Sequence, residues 1–171
     1  MSTWIRILSV LSVVVIHVSL IPVFFPGVLA PVTLVVVAVA WTAILGFPAV
    51  LFPLISTVVI CEGILFGSIQ FSSLYYIVVA YSVSFFMKRT LLGERSGLGY
   101  FILALFAGVS TSGYVLFDWL RQGVWNESLS LSSMLTDFVL AMIVFIVLVP
   151  VLKWFESVIR TLRQDSQFSI K

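Results

Sequence analysis

The chain has 171 residues, of which 61% are hydrophobic and only 9% are charged, and its mean hydropathy is +1.23. A soluble domain carries about 25% charged residues and cannot bury such an apolar excess, so the composition argues against a soluble domain and predicts an integral membrane protein. The net charge of +2 gives no indication of nucleic-acid binding, and a single cysteine, Cys61, excludes an internal disulfide.

Six apolar runs follow one another along the chain, and a spanning helix needs about 20 mostly apolar residues, with a range of about 17–25. The first run also resembles a secretory signal, but Pro31 would follow the cut, so an uncleaved helix is favoured. Re-entrant or tilted segments remain an alternative within residues 48–71. The sequence predicts an all-α integral membrane protein with one six-helix domain over residues 1–152, its spans at residues 7–23, 28–47, 49–66, 72–87, 98–120 and 134–152.

A polar tail follows the sixth predicted span, over residues 153–171. Within it, apolar residues recur at three- and four-residue spacing: Trp154, Phe155, Val158, Ile159 and Leu162. Two interpretations fit this pattern equally. The tail is either an amphipathic helix on the cytoplasmic membrane surface or a helical continuation of the sixth span.

The distribution of Lys and Arg predicts the orientation. With six spans both termini lie on one side, and eight of the nine cations fall on that side, while only Arg121 falls on the other. Cytoplasmic loops carry the excess of Lys and Arg, so both termini are predicted to be cytoplasmic, and so is a reporter fused after Lys171. The cations that set this topology are Lys88, Arg89, Arg95, Lys153, Arg160 and Arg163, together with Arg6 and Lys171.

Two polar residues inside the predicted spans are candidates for an intramembrane polar contact, Glu62 and His17. An acid within an apolar helix costs about 2.5–3.5 kcal/mol to insert, so Glu62 is expected either to face the bundle interior or to reach water or a neighbouring hydroxyl near the outer interface. His17 lies at a similar depth and is a possible partner. Asp118 and Asp137, near the outer ends of the fifth and sixth spans, are interpreted as solvated caps.

Small residues predict where helices approach closely. Ala104, Gly108 and Ser112 fall four apart on one helix face, and Gly63 and Gly67 form a shorter seam beside Glu62. Such small-xxx-small patterns are typical of membrane helix packing, but they do not identify the helix that packs there.

The sequence lacks the phosphate-binding loop, the metalloprotease motif and the hydrolase motif, and it has a single histidine. No catalytic residue, metal site or cofactor site is predicted, and the chain is not expected to be an enzyme. Six helices with short loops instead favour a protein that works by contacting partners within the membrane.

The layout resembles the MreD family of bacterial rod-shape-determining membrane proteins over nearly the whole chain. Four features carry the resemblance: the Pro-led second helix from Ala30, Glu62 followed by GILFGSIQFSS, the Ala80-Tyr81 pair followed by Lys88 and Arg89, and the aromatic-basic VPVLKWFESVIR. This chain has Glu62 where the family commonly has Asp.

The resemblance implies a non-enzymatic scaffold of the cell-elongation machinery in the bacterial inner membrane. Its implied partners are lipid, an MreC-like protein and the RodA–transpeptidase complex. The small-residue seams would be the contact surfaces. The resemblance also implies a fold similar to the substrate-binding subunits of energy-coupling-factor transporters. That likeness sets up the alternative function, a subunit that captures a vitamin-like molecule in an outer pocket formed by Glu62, Gln70, Tyr75, Tyr76 and Asp137.

Overall fold

The computed structural model describes residues 10–20, 31–66, 72–90, 97–122 and 131–168, and these residues are almost entirely helical. The prediction of an all-α protein is confirmed for this part of the chain. Gly67, Gln70 and Arg95 lie outside it. The helices are α1 (residues 10–20, with a π-helix at Ile16–Leu20), α2 (Pro31–Leu45), α3 (Phe47–Phe66), α4 (Ser73–Thr90), α5 (Gly97–Gln122) and α6 (Leu131–Phe168).

Helix α2 is the centre of the bundle. Its sequence is apolar on every side apart from Thr33 and Thr42, and a helix that is hydrophobic all round is expected to be buried. One face, at Val35 and Trp41, packs in a cluster with α1, α3 and α4, and the other, at Val36, packs with α4, α5 and α6. The remaining helices therefore surround α2.

Contacts between helix ends show that helices consecutive in the chain run in opposite directions. His17 near the end of α1 is bonded to Thr33 at the start of α2, and Glu62 near the end of α3 to Ser72 just before α4. At the opposite end, Lys153 of α6 is bonded to Tyr100 at the start of α5. We call these the Glu62 end and the Lys153 end of the bundle.

Three helices have stretches long and apolar enough to cross a membrane, Phe47–Ile64, Gly97–Arg121 and Leu131–Trp154. Helices α1, α2 and α4 contain shorter apolar stretches. The 15 residues of α2 rise about 22 Å, less than the roughly 30 Å of a bilayer core. Large apolar side chains are exposed on all the outer helices, among them Phe52, Val78, Phe101, Val109 and Ile143. This surface suits lipid rather than water.

Helix α6 continues well beyond its apolar part. It is one helix of 38 residues, about 57 Å long, and its membrane-compatible stretch ends at Trp154. Of the two interpretations of the tail, the structure agrees with the second, because the helix of the sixth predicted span continues as far as Phe168.

Candidate functional site

Glu62 is part of a buried polar cluster at the Glu62 end, and only 5% of its surface is exposed. Its carboxylate accepts a hydrogen bond from the backbone N–H of Ser72 at 3.1 Å and a second, short one from the Ser72 hydroxyl. The carbonyl of Ser72 in turn accepts hydrogen bonds from the N–H groups of Tyr75 and Tyr76, which is how a residue at a helix N-terminus is bonded. The acid thus lies at the positive end of the α4 dipole and joins α3 to α4.

Three tyrosines extend the cluster from α4 to α5. Tyr114 of α5 shares side-chain hydrogen bonds with Ser72 and Tyr76, and the Tyr76 side chain is fully buried. The ring centroids of Tyr75 and Tyr76 lie 5.3 and 5.5 Å from that of Tyr114. Such ring pairs add about 0.5–1.5 kcal/mol beyond their burial. The cluster therefore ties α3, α4 and α5 together.

Gly113 lets α5 approach Tyr75. The Tyr75 hydroxyl donates a hydrogen bond to the Ser110 carbonyl at 2.5 Å. A Cβ atom on Gly113 would lie 2.6 Å from the same hydroxyl oxygen, closer than side chains tolerate. A larger residue here would therefore push the Tyr75 hydroxyl away from its present position.

His17 contacts α2 instead of Glu62. Its Nδ1 atom lies 2.7 Å from the Thr33 hydroxyl, and its side chain is 2% exposed. The Nε2 atom is buried and has no hydrogen-bond partner among the described residues. His17 also lies in the π-helical part of α1, a geometry often found at functional positions. The structure thus does not pair the two polar residues that the sequence singled out.

Asp137 is buried, and its interpretation as a solvated cap is wrong. It is 8% exposed and lies one turn from Ala141 and two turns from Phe145, on the face of α6 that packs into the core. Its Oδ2 atom has no hydrogen-bond partner within the described part of the chain. Asp118 is half-exposed, as expected of a cap, and forms an ion pair of 2.7 Å with Arg121.

The seam at Ala104, Gly108 and Ser112 faces α6 of the same chain. Ala104 is buried in the core, and a Cβ atom on Gly108 would lie 2.8 Å from the Phe138 ring. The Ser112 hydroxyl donates a long hydrogen bond of 3.4 Å to the Met134 carbonyl. This face is therefore filled by α6 and is not available to a partner.

The second seam is described only at Gly63. This residue is exposed, and a Cβ atom added to it would have nothing within 4 Å. Gly67, the other member, lies outside the described residues, so the structure gives no account of the seam as a whole.

The predicted cytoplasmic cations that lie in described helices are at the Lys153 end. Lys88 is exposed at the end of α4, beside Arg89, and Lys153, Arg160 and Arg163 follow one another along α6. Arg121 lies at the Glu62 end. Within the described helices, these cations and Arg121 therefore lie at opposite ends of the bundle.

The polar cluster joins helices through hydrogen bonds between side chains and to the backbone. Glu62 accepts from a backbone amide and a hydroxyl, and the tyrosine hydroxyls are engaged with each other, with Ser72 and with a carbonyl. The described residues contain no group of three or more His, Cys, Asp or Glu side chains that would suit a metal ion. Sequence reasoning missed Ser72, although a serine directly before an apolar run is a helix-start signal.

Comparison with protein-family models, with curated proteins and with solved structures found no match.

Proposed function

We propose that this chain is a non-enzymatic scaffold subunit of the bacterial cell-elongation machinery, embedded in the inner membrane through six spans with both termini in the cytoplasm. The observation that carries the proposal is that the Glu62 side chain is buried and hydrogen-bonded to Ser72, just before α4. This acid belongs to one of the four features that carry the resemblance to the MreD family, and its hydrogen bonds hold α3 against α4. An acid used in this way stabilises the fold and leaves function to the outer surfaces.

The apolar surface supports the same proposal. Lipid tails are as apolar as the side chains they meet, so helices associate within a membrane by close packing, often at small residues. The Gly108 seam is filled by Phe138, so a partner must meet another face. Helix α3 offers such a face, because Gly63 is open and Ile60 and Ile64 beside it are exposed.

Copurification tests the proposal. A tagged chain should bring down an MreC-like single-span protein and the RodA–transpeptidase pair from detergent-solubilised membranes of the source bacterium. Gly63→Leu should weaken this recovery, because it fills the open face of α3 with a bulky side chain. Val109→Ala, on the exposed face of α5, is the matched control and should leave recovery unchanged. Failure of the wild-type chain to recover any of these proteins would refute the scaffold role.

A second candidate function is the capture of a small polar molecule for a transporter, and two buried polar atoms favour it. Asp137 Oδ2 and His17 Nε2 lack hydrogen-bond partners among the described residues, and such atoms in functional proteins often await a ligand or an ordered water. Against this function, three of the side chains predicted to line the outer pocket already have hydrogen-bond partners within the chain, namely Glu62, Tyr75 and Tyr76. A vitamin-like ligand needs a pocket of about 300–1,000 Å³.

The two candidates differ in a simple measurement. A capture subunit should bind a vitamin-like ligand after purification and should copurify with an ATPase module. A scaffold should do neither. Binding that is abolished by Asp137→Asn but not by Asp118→Asn would favour the transporter subunit.

A further inference from the structure

An exposed stripe of side chains runs along α4 and ends in a cation. Leu74, Val78, Tyr81 and Phe85 are 45–61% exposed, and the exposed Lys88 follows them on the same face. Intervals of four, three and four residues place the first four side chains in one line along the helix, which is the spacing with which two helices interlock. We call this surface the α4 stripe.

The Tyr81 hydroxyl makes the α4 stripe different from an ordinary lipid-facing surface. Tyr81 lies eight residues after Ser73 and nine before Thr90, so its Cα atom is about 12 Å from the nearer end of the helix. Tyrosines of membrane helices are enriched at the interface instead, where the hydroxyl reaches water. The Tyr81 hydroxyl has no hydrogen-bond partner among the described residues. Hydrocarbon tails carry no acceptor, so this position favours an acceptor on another helix.

Neighbouring rings hold Tyr81 in place on the outside of the bundle. The Phe47 ring at the start of α3 meets it edge-on with 5.6 Å between the centroids, and the Phe85 ring stacks on it at 6.3 Å. Because a docked helix would meet a side chain that is already positioned, it would lose little conformational entropy in making this contact.

We propose that the α4 stripe is the docking surface for a single membrane-spanning helix of a partner protein. That helix carries a hydroxyl or amide side chain opposite Tyr81 and an acidic residue opposite Lys88. The inference rests on the proposed scaffold role and describes the partner of that role by its chemistry. The charge supports the acid, because Lys88 is exposed and forms no ion pair with any residue that the structure describes.

A second copy of this chain fits the α4 stripe less well. Two copies have the same orientation in one membrane, so a two-fold contact along α4 would bring Lys88 and Arg89 close to the same cations of the other copy. Like charges at such a contact repel each other. A lipid could place its phosphate on Lys88, but its tails would leave the Tyr81 hydroxyl without an acceptor.

Photo-cross-linking in membranes of the source bacterium tests the site in the full chain. The photoreactive residue p-benzoylphenylalanine in place of Val78 should form a product with a spanning helix that has Asp or Glu at its cytoplasmic end, as mass spectrometry of the linked peptide would show. The same residue in place of Val147, on the exposed face of α6, is the matched control and should give much less product, because the two valines are 61% and 62% exposed.

Substitutions beside the photoreactive residue test the chemistry of the contact. Tyr81→Phe keeps the ring and should lower the yield about threefold, which corresponds to about 0.6 kcal/mol for one hydrogen bond between membrane helices. Lys88→Glu should lower it about fivefold, which corresponds to about 1 kcal/mol for an exposed ion pair, and lysine in place of the partner's acid should restore it. Arg160→Glu reverses a charge on α6 and should leave the yield unchanged.

The proposal would be overturned by equal products at Val78 and Val147, by a product that contains only a second copy of the chain, or by an unchanged yield in Tyr81→Phe. Failure of the exchanged charges to restore the yield would also overturn it. Recovery of an MreC-like protein without a product at Val78 would refute the α4 stripe and leave the scaffold role intact. A product with the stated chemistry from a protein outside the cell-elongation machinery would support the stripe and refute that role.

Discussion

Gly108 offers the sharpest test of how α5 and α6 pack. In Gly108→Ala the added methyl would lie 2.8 Å from two carbons of the Phe138 ring and 3.1 Å from a third. Carbon atoms rest at about 3.5–4.0 Å, so the ring must move by about 0.7 Å or more. Forcing an extra methyl into a packed contact costs about 1–3 kcal/mol.

Gly63→Ala is a matched control, because it places the same methyl in a helix with nothing within 4 Å. Both substitutions gain helix propensity, about 0.8–1.0 kcal/mol for replacing glycine by alanine. That gain cancels in the comparison. The free energy of unfolding of Gly108→Ala should therefore lie about 1–3 kcal/mol below that of Gly63→Ala, the difference being the overpacking alone.

The measurement is reversible unfolding in mixed micelles with increasing dodecyl sulfate, followed by far-UV circular dichroism. Phe138→Leu provides a rescue, since a smaller side chain gives the new methyl room. The double variant should be more stable than the sum of the two single losses predicts, by a coupling of about 0.5–3 kcal/mol. If Gly108→Ala and Gly63→Ala were equally stable, the contact between Gly108 and Phe138 would not exist as described.

Other variants test the polar cluster and the orientation. Glu62→Leu should lower the free energy of unfolding by about 1–3 kcal/mol, because it leaves the Ser72 amide and hydroxyl without an acceptor. Glu62→Gln keeps an acceptor oxygen and should lose less stability. Equal losses in the two variants would show that these hydrogen bonds contribute nothing to stability. Compared with Gly63→Ala, which carries the same gain in helix propensity, Gly113→Ala should displace the Tyr75 hydroxyl and lower the free energy of unfolding by about 0.5–1.5 kcal/mol. This is the value of the one hydrogen bond that Tyr75→Phe also removes, measured in the same unfolding assay. An alkaline phosphatase fused after Lys171 should be inactive, and a fluorescent protein at the same position should fluoresce, because both would lie in the cytoplasm. An active phosphatase together with a dark fluorescent protein would refute the prediction of cytoplasmic termini.

The all-helical fold follows from the sequence because apolar runs near membrane length leave the chain few alternatives. A backbone in lipid must satisfy its own hydrogen bonds, and a helix does this within one segment. The central place of α2 also has a sequence signal, since that segment is apolar on every side except at Thr33 and Thr42. Composition thus predicted the helical class, whereas the central place of α2 was not predicted, although its lack of a polar face was a signal for it.

The partners of individual residues were harder to predict, because they depend on which helices meet. The spacing of Ala104, Gly108 and Ser112 indicated a close contact but carried no information on the helix that makes it. The structure assigns that contact to Phe138 and Met134 of α6. A bulky substitution at Gly108 would therefore not separate the loss of a partner interface from damage to the packing of α5 on α6.

The case of Glu62 shows the same limit. Its bonds to Ser72 join residues ten positions apart, on either side of the connection between α3 and α4. That proximity follows once the two helices are known to be antiparallel. The contact of Tyr114 with Ser72 and Tyr76 could not be inferred in this way, because it requires α5 to lie against α4. Asp137 was misjudged because the hydroxyl residues before it, Ser132, Ser133 and Thr136, are typical of a helix start. Its spacing from Ala141 and Phe145 places it instead on the buried face of α6.

The two ends of the bundle are chemically different, and that difference links the fold to the proposed function. Buried polar side chains that bond between helices, from Glu62 to Tyr114, lie at one end, and the described cations Lys88 and Lys153 lie at the other. A polar cluster near a membrane surface is less costly than one at the bilayer centre, and it joins the helices at one end while leaving their exposed apolar faces free to meet another protein. Contacts with a partner should therefore depend on an exposed apolar face such as that of α3 at Ile60, Gly63 and Ile64. Substitutions within the cluster should act on stability first and on partner recovery only through it.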